Sequence, residues 1–123
     1  MEPVRVLVVD DQEPFRRACG AVLEALDDFT LVGVGETGEA SVELVRELTP
    51  DLVLMDINLP GISGLEATRS VRQLEHPPVV VLVSTYDRSE YGDEPAECGA
   101  SAYLSKSAFD AGLLLSTWEQ VRG

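Results

Sequence analysis

The sequence is short of basic residues, with nine lysines and arginines against 22 aspartates and glutamates and a formal net charge of −13. A chain with this charge would repel phosphate backbones and anionic membranes, so we expect it to bind neither nucleic acid nor a membrane. It would instead attract a protein partner that carries a basic patch. No apolar run approaches the length of a membrane span or a secretory signal, and we therefore expect a cytoplasmic protein.

Cysteine and histidine are scarce as well. Cys19 and Cys98 are far apart and match no C-x-x-C spacing, which argues against a zinc site or a redox pair. In a reducing cytosol both are expected to be free thiols, with Cys19 packed inside a helix face. The single histidine, His76, precedes two prolines and is interpreted as a loop residue without a chemical role. The sequence also contains no internal repeat, low-complexity segment or linker.

The stretch 51–61 is the most informative part of what is present. Its apolar run 52–55 leads into Asp56 and is stopped by Pro60-Gly61, a pattern typical of a strand buried on both faces. Such strands occur in parallel sheets, and open α/β sheets bind their ligands beyond the carboxyl ends of the strands. Asp56 is therefore predicted to lie where this type of fold offers a site.

Other predicted strands end in polar residues that would reach the same edge of the sheet. These residues are Asp10 and Asp11 after the first strand, Ser84 after the fourth and Lys106 after the fifth. Clustered carboxylates repel one another unless a cation neutralises them, and oxygen-only ligands favour Mg²⁺. A hydroxyl and an ammonium group beside three carboxylates suit an aspartate that accepts a phosphoryl group and then has the new charge stabilised.

Each of these residues also has a plainer interpretation. An Asp-Asp pair after a strand is often only a turn or a helix N-cap, a lone lysine is usually a solvated surface residue, and a serine at a strand end often bonds nearby backbone. Their order along the chain favours a common site, because acids follow the first and third strands, a hydroxyl the fourth and a lysine the fifth.

The predicted strands alternate with helical stripes of apolar residues. The first stripe is formed by Phe15, Ala18, Cys19, Val22 and Leu26. Later helices are expected to begin near Thr37, at Ser63 or Gly64, and at Ala108 or Phe109, the last of them running to about Arg122. Strands and helices that alternate through short loops indicate right-handed βαβ crossovers and a sheet covered on both sides.

Together with this alternation, the three aspartates, Ser84 and Lys106 resemble the receiver domain of two-component response regulators over essentially the whole chain, 1–123. The resemblance is closest to receivers that precede helix-turn-helix output domains. It implies a single α/β domain, a doubly wound (βα)₅ flavodoxin-like three-layer sandwich whose five-stranded parallel sheet has the order 2-1-3-4-5. It also implies a phosphorylation-dependent switch that is served by a histidine kinase with Mg²⁺ and controls transcription through an effector domain or a partner.

The resemblance implies a role for each site residue. Asp56 would be the phosphoacceptor and Lys106 would pair with the phosphoryl group, while Ser84 and Tyr103 would form the conformational switch. The residues implied to hold Mg²⁺ are Asp10, Asp11, Asp56 and, through its backbone carbonyl, Asn58.

Two positions are implied to set how long the phosphoryl group persists. Asn58 and Tyr86 would flank the approach of the hydrolytic water, and Tyr86 has no carboxylate or amide to orient it, so slow hydrolysis is expected. The chain departs from the family pattern at Ser63, where aspartate is usual, and at Ser107, where proline often follows the lysine. Neither departure is expected to change the phosphoryl chemistry of the site.

Two rival classes share parts of this pattern. An aspartate-based, Mg²⁺-dependent phosphohydrolase would need a second acid two positions after the first, where Asn58 stands. A flavin-binding protein would need a phosphate-binding loop after the first strand, and the negative charges of Asp10-Asp11 would repel the flavin phosphate. We therefore expect no enzyme. A stand-alone receiver that acts in a phosphorelay or as an adaptor stays an open alternative.

The segment between the fourth and fifth strands is a poor helix former. Proline costs about 3 kcal/mol in a helix interior and glycine about 1 kcal/mol, and the segment contains both Gly92 and Pro95. We expect 86–92 to be an irregular, mobile loop that phosphorylation orders, and at most two turns of helix between a capping Asp93 and Gly99.

The last predicted helix has more apolar surface than one stripe requires. Leu115 and Trp118 lie off the face that Phe109 and Leu113 share, which indicates either partial cover by a neighbouring element or a partner surface. With the preceding segment it forms a face, 86–122, through which we expect a homodimer or an effector domain to bind.

Overall fold

The computed structural model describes residues 2–122 as alternating strands and helices. The strands are β1 (Val4–Val9), β2 (Phe29–Gly35), β3 (Leu52–Asp56), β4 (Val79–Ser84) and β5 (Ala102–Ser105). The helices are α1 (Glu13–Glu24), α2 (Gly38–Leu48), α3 (Gly64–Arg72), α4 (Glu94–Glu97) and α5 (Ala111–Val121), with 3₁₀ turns at Arg88–Tyr91 and Lys106–Ala108. The strands form one parallel sheet in the order β2-β1-β3-β4-β5, which confirms the predicted fold class and topology.

Apolar residues that alternate along the strands fill a core on each side of the sheet. One cluster joins Leu7, Val53 and Leu82 to residues of α2 and α3. The other cluster, on the opposite face of the sheet, joins the alternate strand residues, such as Val8, Leu54 and Val81, to residues of α1 and α5. Every residue of β3 is buried, as the continuous apolar run predicted. The central strand therefore presents Asp56 from a rigid base.

Side-chain caps decide where several helices begin. The capping residues are Thr37, Ser63 and Asp110, which accept a hydrogen bond from the N–H three residues on at 3.0, 3.2 and 2.8 Å, respectively. Asp110 has extended backbone angles, so α5 begins at Ala111 and not at Ala108 or Phe109 as predicted.

The first helix, α1, differs from the predicted apolar stripe at two residues. Pro14 lies in its first turn, and Cys19 is fully buried. Leu23, one helical turn after Cys19, is buried as well, whereas Ala18 is exposed. The stripe therefore includes Leu23 and not Ala18.

The segment before β5 contains little helix, as predicted, because α4 spans only four residues. The prediction of an irregular loop is wrong for Arg88–Tyr91, where local backbone hydrogen bonds close a 3₁₀ turn. Asp93 occupies the position before α4, but its side chain makes no capping bond. The mobility of 86–92 stays a prediction.

The outer surface of α5 is only partly the apolar face that was expected. Trp118 is half-buried and lies edge-on to Phe29, with 6.4 Å between the ring centroids. Leu115 is exposed. No helix within residues 2–122 is long and apolar enough to cross a membrane.

Candidate functional site

Three carboxylates meet at the carboxyl edge of the sheet. β1 and β3 are neighbours, and Val9 pairs with Met55, so that Asp10 and Asp56 leave the sheet side by side. One carboxylate oxygen from each of Asp10, Asp11 and Asp56 lies within 4.8 Å of the others. Asp10 and Asp56 are buried, whereas Asp11 is exposed. The strand order therefore brings together the three acids that the sequence predicted.

Lys106, the only lysine of the sequence, enters the same cluster from the end of β5. Its Nζ lies 2.6 Å from Asp10 Oδ2 and 3.5 Å from Asp56 Oδ2. The ammonium group also lies 4.7 Å from the centre of the Phe15 ring, which places a cation–π contact behind it. Its side chain is 9% exposed, so the plainer interpretation of a solvated surface lysine is wrong.

One ammonium group does not balance three carboxylates. Burial and the nearby Asp10 raise the pKa of Asp56 to about 6, although Lys106 and the backbone N–H of Asn58 favour the charged form. Asp10 Oδ2 is buried without a regular hydrogen bond, even though the Lys106 ammonium is close enough for an ion pair. The ion pair with Lys106 therefore partly neutralises this buried oxygen. An all-oxygen cluster with this excess of negative charge fits Mg²⁺.

The switch hydroxyl predicted at Ser84 lies at the end of β4 and is fully buried. Its Oγ accepts a hydrogen bond from the Tyr86 N–H at 3.1 Å and lies 2.8 Å from the Tyr91 hydroxyl. Asn58 Nδ2 donates to the same Tyr91 hydroxyl at 2.9 Å. Tyr91 therefore joins two residues of the predicted site.

Tyr91 was not among the residues that the sequence predicted for this site. The residue is separated from Asn58 by 33 positions, so no local spacing links them. The available signal was a tyrosine inside a polar segment that directly follows a strand with a predicted site residue.

The remaining predicted residues lie around this edge with different contacts. The Tyr103 hydroxyl donates to the Tyr86 carbonyl, and its ring lies 6.1 Å from the Tyr91 ring. Burial raises the pKa of Tyr103.

The two residues implied to set the phosphoryl lifetime contact the site mainly through their backbone N–H groups. The Tyr86 N–H donates to Ser84 Oγ, while the Tyr86 side chain is exposed. Asn58 is exposed, and its N–H donates to Asp56 Oδ1 at 3.3 Å. The implied effect of Asn58 and Tyr86 on phosphoryl lifetime stays a prediction.

The two departures from the family pattern have structural uses. Ser63 caps α3, as described above, and so helps to end the loop that follows Asp56. The hydroxyl of Ser107 lies 2.8 Å from that of Ser105, on the two sides of Lys106.

Residues 6–117 match the family model described as the response regulator receiver domain. The chain belongs to this family. Among the relatives of this receiver is the response regulator GacA of Pseudomonas viridiflava, which is 41% identical over 85% of the chain and 49% of the relative. The transcriptional regulatory protein DegU of Brevibacillus brevis is 41% identical over 91% of the chain and 47% of the relative. The receiver thus spans about half the length of these relatives.

Solved structures agree with this family assignment. A NarL signal receiver domain from Mycobacterium tuberculosis superposes with a TM-score of 0.91 at 29% identity, over 100% of this chain and 99% of that one. A two-component response regulator of the LuxR family from Aurantimonas sp. SI85-9A1 gives a TM-score of 0.87 at 30% identity, over 98% and 86% of the two chains. The receiver fold is therefore shown for the part of the chain that the structure describes, residues 2–122.

Proposed function

We propose that this receiver is a phosphorylation-dependent switch in which Asp56 accepts a phosphoryl group from a histidine kinase. The observation that carries the proposal is the meeting of a buried Asp56 with two further carboxylates and Lys106 at one sheet edge. Of the three acids, only Asp56 has both Lys106 and the strand that carries the buried Ser84 beside it, since β3 pairs with β4 and Asp56 lies opposite Val83, next to Ser84.

The proposed reaction is a transfer between two covalent phosphoryl carriers. A carboxylate oxygen of Asp56 attacks phosphorus, the P–N bond of the phosphohistidine breaks, and the electron pair stays on the imidazole nitrogen. With a pKa of about 6, Asp56 is mostly ionised at neutral pH and is able to attack. Lys106 then pairs with the new charge, and Ser84 donates its hydroxyl proton to a phosphoryl oxygen.

The group that completes the site is Mg²⁺, which would be held by Asp10, Asp11, Asp56 and the backbone carbonyl of Asn58. When bound, it neutralises negative charge on the phosphoryl oxygens and on the clustered carboxylates. The carboxylates supply the oxygen ligands that this ion prefers, and two of them are fixed by strand ends.

The proposed output is control of transcription, in the cytoplasm, through an effector domain or a partner that binds the face 86–122. Relatives named as transcriptional regulatory proteins support this output. The exposed Leu115 supports the choice of face. A phosphohydrolase is disfavoured, because the position of its second acid is taken by Asn58, whose amide binds Tyr91.

Labelling of the purified chain tests the proposal. With Mg²⁺ and acetyl phosphate or a phosphorylated kinase, we expect the intact mass to rise by one phosphoryl group that hydroxylamine removes. Asp56→Asn should abolish the gain. Asp27→Asn is the matched control, because Asp27 is an exposed acid at the opposite end of the sheet, just before β2. Undiminished labelling of Asp56→Asn would overturn the assignment.

A further inference from the structure

Among the described residues, the side chain of Tyr91 attaches the 3₁₀ turn Arg88–Tyr91 to the rest of the protein. Residues 85–90 are all exposed, whereas Tyr91 is half-buried and packs against the core cluster on its side of the sheet. The backbone bonds of the turn are local, from Glu90 N–H to Asp87 and from Gly92 N–H to Ser89. The position of the turn therefore depends largely on the side chain of Tyr91.

The Tyr91 hydroxyl occupies groups that the phosphorylated site would need. It accepts from Asn58 Nδ2 at 2.9 Å and forms a hydrogen bond of 2.8 Å with Ser84 Oγ. Ser84 Oγ also accepts from the Tyr86 N–H, so the Ser84 hydroxyl is held between two partners in this arrangement. A phosphoryl group on Asp56 presents only acceptor oxygens and requires the Ser84 hydroxyl proton for itself.

We propose that Tyr91 is a further positioning residue of this site, whose hydroxyl holds Ser84 and Asn58 in the unphosphorylated protein and is released when Asp56 is phosphorylated. This inference rests on the proposed phosphoryl transfer at Asp56. Release frees the turn Arg88–Tyr91 from its attachment and so carries the signal into the face 86–122. The predicted ordering of 86–92 by phosphorylation is the opposite outcome, and hydrogen exchange distinguishes the two.

The neighbouring chain favours such a release. Gly92, directly after the turn, has a φ of 62°, and a Cβ built there would meet no atom within 4 Å. The Tyr91 ring lies beside the Tyr103 ring, whose hydroxyl bonds to the Tyr86 carbonyl. Movement of Tyr91 therefore changes the surroundings of the predicted switch aromatic as well.

Titration with beryllium fluoride at saturating Mg²⁺ tests the inference, because this ion mimics the phosphoryl group without forming a permanent bond. Tyr91→Phe keeps the ring and removes both hydrogen bonds of its hydroxyl, the one with Ser84 and the one from Asn58, from the unliganded state alone. The exposed Asn58 amide can bond to water instead, so the net loss is mainly that of the Ser84 bond. We expect Tyr91→Phe to bind beryllium fluoride about 3- to 10-fold more tightly than the parent chain, as the net value of that bond implies. Ser89→Ala, an exposed change in the same turn, should leave the affinity unchanged.

Two further measurements separate positioning from a merely structural role. In a Ser84→Ala background the gain from Tyr91→Phe should largely disappear, because the two residues act through one bond. Hydrogen exchange at the amides of Glu90 and Gly92 should accelerate in the parent chain with beryllium fluoride and in Tyr91→Phe without it. Equal or weaker binding by Tyr91→Phe overturns the inference. Failure of the parent chain to bind beryllium fluoride would instead overturn the proposed function.

Discussion

The buried carboxylate of Asp56 lowers the stability of the metal-free receiver. Its pKa in the folded chain is about 6, against an ordinary value of 3.8, mainly because burial disfavours the charged form. Between these two pH values the folded state keeps a proton that the unfolded state has released. The contribution of this group to the free energy of unfolding therefore falls as the pH rises through that window.

Replacement of this carboxylate should stabilise the protein at neutral pH. A two-unit shift corresponds to roughly 3 kcal/mol at most, so we expect Asp56→Asn to raise the free energy of unfolding by about 1–3 kcal/mol at pH 7.5 in the presence of a chelator. The difference in unfolding free energy between the variant and the parent chain should shrink towards pH 4, where Asp56 in the folded parent chain is protonated and neutral, like the asparagine of the variant. Urea unfolding at the two pH values measures it, and an equal difference at both would contradict the assigned cause.

The meeting of residues such as Asp56 and Lys106 at one edge of the sheet is predictable from the sequence, because each follows a strand whose end is visible in the pattern. Buried parallel strands are continuous apolar runs, so their ends can be located, and the fold brings those ends to one edge. The contacts of Tyr91 were not predictable in this way. Its partners, Asn58 and Ser84, come from other strand ends, and only the packed fold shows which side chain reaches them.

At the scale of elements, helix starts depend on single polar side chains. Asp110 accepts the Leu113 N–H at 2.8 Å and has extended backbone angles, and this local bond overrides the helix propensity of the residues before it. Periodicity does not report such competition, which explains why the start of α5 was placed too early. The shortness of α4 was predictable, since Gly92 and Pro95 act through the backbone alone.

The two aspartates that precede α5 and α4 offer a matched test of capping. Asp110→Ala should lower the free energy of unfolding by about 1 kcal/mol, because it leaves a helical N–H without its partner. Asp93→Ala should have a much smaller effect, since the Asp93 side chain makes no capping bond. Urea unfolding of both variants at one pH compares them. Equal losses would show that charge near the helix start, and not the hydrogen bond, is responsible.

Across the whole molecule, acidic residues outnumber basic ones, and three of the acids meet at one edge of the sheet. The formal net charge is −13, and two of the acids at that edge, Asp10 and Asp56, are buried. Added salt of any kind should screen the exposed charges and stabilise the compact state modestly. It would not neutralise the buried pair, which is screened far less. Two separate responses to cations are therefore expected.

Thermal unfolding in MgCl₂ and in NaCl of equal ionic strength should separate the two responses. A site that binds only the folded chain adds about 1.4 kcal/mol when Mg²⁺ is tenfold above its Kd, or roughly 5 °C in Tm for a domain of this size. Asp10→Asn should lose this Mg²⁺ increment while keeping its response to NaCl, and Asp27→Asn should keep both. If Asp10→Asn gained as much from Mg²⁺ as the parent chain, the ion would be acting on the general surface charge, and the carboxylates at the end of β1 would not be its ligands.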